Sequence, residues 1–102
     1  MSRLEMNQNE GMEELMQAIL SIKDMEQCRA FFSDLCTVQE LKAFSQRLQV
    51  AKRLLEGQTY ERIRSEVGVS SATITRISAE LQFGAGGYSS VISALQEKDK
   101  QL

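Results

Sequence analysis

The chain has 102 residues, a net charge of −2, 42% hydrophobic and 25% charged residues, which is ordinary composition for one small globular domain. It has no apolar run long enough to span a bilayer and no basic-then-apolar leader, so a cytoplasmic protein without membrane contact is expected. Histidine is absent, and Cys28 and Cys36 are the only cysteines. The commonest general base and metal ligand are therefore missing, two thiols alone do not make a zinc site, and neither an enzyme nor a metal centre is expected.

Residues 1–9 read as a polar arm. From Glu10 to Ile22, Met12, Leu15, Met16, Ile19 and Leu20 recur at three- and four-residue steps, the stripe of an amphipathic helix. Asp24 with Gln27 forms a capping box that opens a second helix with Met25, Cys28, Phe31, Phe32 and Leu35 on one face, and both cysteines fall in segments that read as helix. Thr37 with Glu40 is a second box. The long helix behind it runs to Glu56 with Leu41, Phe44, Leu48, Ala51 and Leu55 on one side, widened by Val50 and Leu54, and Gly57 supplies a left-handed stop. A chain this short buries only a thin core, so dimerisation, with residues 10–56 as the helical dimerisation part, is an open expectation.

A short helix follows from Thr59 to Gly68, with Tyr60, Ile63 and Val67 apolar. Ser70 caps the next, about Ser71 to Gln82, with Ile74, Ile77 and Leu81 buried. Phe83-Gly84-Ala85-Gly86-Gly87 is a flexible break. A last helix spans 88–98 with Val91, Ile92 and Leu95 inward. The fold class is all-α, about six helices.

Charge is unevenly spread. Residues 1–41 carry net −5, residues 42–76 net +4, and residues 77–102 net −1. The positive stretch coincides with the spacing of a helix-turn-helix at 59–82: two short helices, a glycine able to take positive φ at Gly68, an inward Val69, and apolar pairs Ile63/Val67 and Ile74/Ile77 that let the helices cross. Small residues Ser70, Ser71 and Ala72 leave the second helix narrow enough for a major groove about 12 Å wide. Thr73 and Thr75 can meet base edges or phosphates, and Arg62, Arg64 and Arg76 the backbone. The pattern points to double-stranded DNA. The rival reading is a helical protein-interaction module, whose binding would lack the steep salt dependence of phosphate contacts.

The string Ser71-Ala72-Thr73-Ile74-Thr75-Arg76 resembles the start of the recognition helix of the Trp repressor superfamily. The likeness extends back through Leu35-Cys36-Thr37, Arg47 and Leu54-Leu55-Glu56-Gly57, with one single-residue gap near Gln58. With Gln82-Phe83-Gly84-Ala85-Gly86-Gly87-Tyr88 the whole chain looks like the YerC/YecD branch. The resemblance implies an intertwined homodimer acting as a repressor, with Ser71, Ala72, Thr73 and Thr75 at the DNA. Glu61 stands where the repressor has an arginine that reads guanine, so a different operator is expected. It also implies ligand-holding positions at Thr37, Arg47 and Arg76. Ile77, however, replaces the glycine against which the indole packs, and Glu80 replaces a serine. Tryptophan is therefore not expected as a cofactor, and the small effector, if one acts, is unknown.

Overall fold

In the computed structural model, which describes residues 9–100, six α-helices and no strand are present among the described residues: α1 (Glu10–Leu20), α2 (Met25–Leu35), α3 (Val38–Leu55), α4 (Tyr60–Val67), α5 (Ser71–Phe83) and α6 (Gly87–Lys100). The expected arm over residues 1–8 lies outside the described residues. Asn9, assigned to that arm by sequence, is the N-cap of α1, its Oδ1 accepting the Met12 N–H at 2.6 Å. The chain divides into two units, one ending at Lys42 and one beginning at Ala43, so α3 starts in the first and continues through the second.

In the first unit both capping boxes form. Gln27 N–H donates to Asp24 Oδ1 at 2.8 Å, and Gln27 Oε1 accepts the Lys23 N–H. Glu40 N–H donates to Thr37 Oγ1 at 3.1 Å, while Thr37 N–H donates to a Glu40 carboxylate oxygen at 2.8 Å. The backbone N–H of Thr37 first, and its hydroxyl second, hold the Glu40 carboxyl below its ordinary value of 4.5. Cys36 is extended backbone between α2 and α3, not helical as the sequence suggested, because the Thr37 box begins a new helix there. No residue of α1 or α2 is buried, and Leu20, Met25 and Leu35 are exposed. Their apolar stripes exist as expected, half-buried at residues such as Leu15, Met16, Phe31 and Phe32, but the single chain covers no member fully.

The second unit holds the buried core: Val50, Ala51, Ile63, Ile74, Ile77 and Ile92, with Leu48, Leu54, Val67, Val69, Leu81 and Tyr88 packed around it. Four isoleucines and a valine supply it, each worth roughly 1.5–3 kcal/mol on burial. The buried side of α3 is the Val50–Ala51–Leu54 side. Of the expected stripe, Ala51 with the widening Val50 and Leu54 faces the core and Leu48 packs against it, whereas Phe44 and Leu55 are 46% and 48% exposed. The helix-turn-helix and α6 lie against one face of α3, and a second apolar face remains on the flank. In the same way α6 is anchored by the buried Ile92 with Tyr88 packed beside the core, while Val91 and Leu95 are exposed, and Tyr60 is exposed on α4. Helix α5 runs through Phe83 and α6 starts at Gly87, which shortens the expected break to three residues.

Candidate nucleic-acid interface

The turn between α4 and α5 is built by three local devices. Thr59 Oγ1 accepts the Arg62 N–H at 3.2 Å and starts α4. Gly68 ends it with φ +81°, its N–H donating to Arg64 O at 3.0 Å, a left-handed stop that any β-carbon would strain. Ser70 then caps α5, its Oγ accepting the Thr73 N–H at 3.2 Å and lying 3.0 Å from Thr73 Oγ1. Ile63 on α4 and Ile74 and Ile77 on α5 are buried in one cluster, which fixes the crossing of the two helices.

This construction leaves Ser70, Ser71, Ala72, Thr75 and Arg76 exposed and Thr73 half-buried. The first turn of α5 carries no acidic residue, whereas α1 to α4 each have one or two. The positive end of the α5 dipole therefore meets no acidic side chain from its own first turn. Arg64 and Arg76 have no carboxylate partner among the described residues. Arg62 does: its Nε donates to Glu66 Oε1 at 2.8 Å, and Arg53 of α3 donates to the other oxygen of the same carboxylate and, at 3.3 Å, to Gln58. The two guanidinium groups hold the Glu66 carboxyl below its ordinary value of 4.5, Arg62 first and Arg53 second. Arg62 and Glu66 stand four residues apart, so their pairing is readable from the sequence. Arg53, thirteen positions from Glu66, is not.

A cleft of about 350 Å³ lies beside the turn, lined by Ala43, Gln46 and Arg47 of α3, Gly68 and Val69, and Thr73, Arg76 and Ile77 of α5. The structure thus gathers three of the four expected ligand positions, Arg47, Arg76 and Ile77. Thr37 belongs to the other unit, where it caps α3. The Ile77 side chain is turned into the core, at 1% exposure, and forms part of the cleft wall without sealing the cleft. The Arg47 guanidinium lies over the Phe44 ring, 5.0 Å from its centroid. Ala43, Gln46 and Val69 were not singled out by sequence as lining residues. Ala43 and Gln46 precede Val50 at helical steps, but small or amide side chains carry no signal alone. Among the described residues no His/Cys/Asp/Glu group suits a metal ion, and no helix is long and apolar enough to cross a membrane.

Six helices, with a glycine-turned pair whose second member presents small and hydroxylated residues, define a helix-turn-helix protein of the all-α class. The sequence profile of the Trp repressor protein family matches residues 10–96, and the chain belongs to that family. It is 41% identical over 90 residues to the protein YerC of Bacillus subtilis (strain 168), covering 88% of this chain and 86% of that one. The fold matches a crystal structure of a candidate Trp repressor from Staphylococcus aureus, with TM-score 0.88 and 41% identity over 94% of this chain and 96% of that chain. It also matches a TrpR-like protein from Eubacterium eligens ATCC 27750, with TM-score 0.85 and 41% identity over 90% and 95% of the two chains.

Proposed function

We propose that the protein is a sequence-specific DNA-binding transcriptional regulator, a repressor that acts as a homodimer in the cytoplasm and places α5 of each subunit in the major groove. The observation that carries this reading is the exposed, Ser70-capped start of α5, free of acidic residues and flanked by Arg64 and Arg76, neither of which has a carboxylate partner among the described residues. Backbone N–H groups and arginines at such an end suit phosphates, and Ser71, Ala72, Thr73 and Thr75 suit base edges. The uncovered apolar residues of α1, α2 and the α3 flank support a second copy as partner. Two reading helices one helical turn apart would then meet a two-fold-symmetric site.

In this reading DNA binding needs no tryptophan, because an isoleucine, Ile77, and not a glycine forms the cleft wall against which an indole ring would pack. A repressor that answers to another small effector is the second reading, favoured by the open cleft at Arg47 and Arg76. Selection from random duplex DNA, with and without tryptophan, tests both. Wild type should enrich a palindromic site equally in the two conditions, and Thr73→Ala should lose or change that preference. Enrichment only with tryptophan overturns effector independence. No enrichment in either condition favours the protein-interaction reading or an effector other than tryptophan.

A further inference from the structure

Positive charge near a reading helix raises affinity for any DNA, and specificity depends on how far the correct site exceeds that background. In the second unit Arg62 is the arginine nearest the start of α4, exposed enough to reach a phosphate, yet it is engaged by Glu66. An Arg-to-Glu order at i,i+4 is the weaker orientation for a helix pair. Here the carboxylate is fixed from the other side: Arg53, only 25% exposed and hydrogen-bonded to Gln58, holds the second oxygen of Glu66 from α3. Glu66 therefore cannot swing away to release Arg62 without also leaving the Nη1 of Arg53, whose Nε is buried without a hydrogen-bond partner.

We propose that Glu66 is a built-in counter-ion that withholds Arg62 from DNA phosphates and so lowers sequence-independent affinity. This rests on the DNA-binding reading above and refines its site: Arg64 and Arg76 are the phosphate-contacting arginines of the reading unit, and Arg62 is internally neutralised. A cation already paired within the protein releases no counter-ion from DNA, so it adds nothing to the salt dependence of binding.

The test is titration of wild type, Glu66→Gln and Glu66→Ala onto a mixed-sequence duplex of about 30 base pairs between about 50 and 200 mM salt. Removing the carboxylate frees Arg62 for one phosphate. The slope of log affinity against log salt should steepen by about 0.9, an extra loss of roughly 3.5-fold across that range, with tighter binding at the low-salt end. Adding Arg62→Gln to Glu66→Gln should abolish the gain. Three results overturn the proposal: both Glu66 variants, folded by circular dichroism, keep the wild-type slope; they bind more weakly at low salt; or the gain survives loss of Arg62. Wild type that binds the duplex with an ordinary slope while Glu66→Gln matches it removes this inference alone. Wild type with no salt-dependent binding removes the DNA-binding reading and this inference together.

Discussion

Arg47 of α3 and Arg76 of α5 line a single cleft although they are 29 positions apart in sequence, with Ile77 in the wall between core and cleft. Two guanidinium groups there would suit a carboxylate, and the isoleucine limits what can lie beside it. Ile77→Gly should deepen the cleft at that wall. Isothermal calorimetry is expected to show no tryptophan heat for wild type and measurable heat for the variant. The substitution removes a buried side chain, at about 2–5 kcal/mol, and adds roughly 1 kcal/mol for a glycine within a helix. Folding must therefore be checked by circular dichroism. Tryptophan uptake by wild type, or silence from a folded variant, would reject Ile77 as the barrier.

Gly68 supplies a second test, since nothing lies within 4 Å of where its β-carbon would be. Any loss on substitution is then backbone strain and not a clash. Gly68→Ala should lower stability by about 1–2 kcal/mol, read as a drop in urea midpoint with unchanged slope. Gly68→Asn should lose less, because asparagine tolerates the left-handed region better. Equal losses in the two variants would contradict this account.

The cap of α5 separates folding from function. Ser70→Ala should cost about 1 kcal/mol, a fall in melting temperature of roughly 4–8 °C for a domain near this size. Ser70→Asp keeps a capping oxygen, so its melting temperature should stay near wild type. Its charge sits at the end of α5 assigned to phosphate, and DNA affinity should fall roughly tenfold or more. Normal DNA binding by Ser70→Asp would move the phosphate contacts away from this helix end.

Much of this was readable in the residues themselves. The boxes at Asp24 and Thr37, the stop at Gly57, the turn at Gly68 and the cap at Ser70 depend on neighbours within four residues, and each formed where the spacing put it. Burial is different. The stripe of α3 gives no indication of which of two apolar flanks meets α4 and α5, and the exposure of Phe44 and Leu55 against the burial of Val50 is decided by tertiary packing. The break after α5 is shorter than its glycines suggest because Gly84 N–H still donates to Glu80 O and Gly87 is recruited into α6. The pairing of Arg53 with Glu66, and the gathering of Gln46 and Val69 at the cleft, need the fold.

Acid should weaken the protein through two carboxylates. Glu40 and Glu66 both titrate below their ordinary 4.5 when folded, one held by Thr37 and the other by Arg62 and Arg53. A depressed folded value means that their contribution is complete above the unfolded value and is lost as pH falls through the folded one. With no histidine in the chain, the urea midpoint should stay level from about pH 7 to 5 and drop below 4.5. The drop should be shallower in Glu40→Gln/Glu66→Gln. An unchanged acid limb in that double variant would assign acid sensitivity to other groups.

Phe44 tests the proposed dimer. It is an exposed aromatic on the α3 flank, outside the buried core, so Phe44→Glu should leave helicity and the Ile63–Ile74–Ile77 packing intact. If a second copy covers that flank, the substitution buries a carboxylate in an apolar interface, which is strongly unfavourable without a partner. Sedimentation velocity should give wild type at twice the 11.5 kDa chain mass and Phe44→Glu at one chain mass. Binding to a two-fold-symmetric duplex should fall with it, because one chain presents one reading helix and only half of the site is then contacted. A wild-type monomer would remove the dimer. A Phe44→Glu dimer as tight as wild type would place the interface on α1 and α2 alone, where Leu20, Met25 and Leu35 remain uncovered.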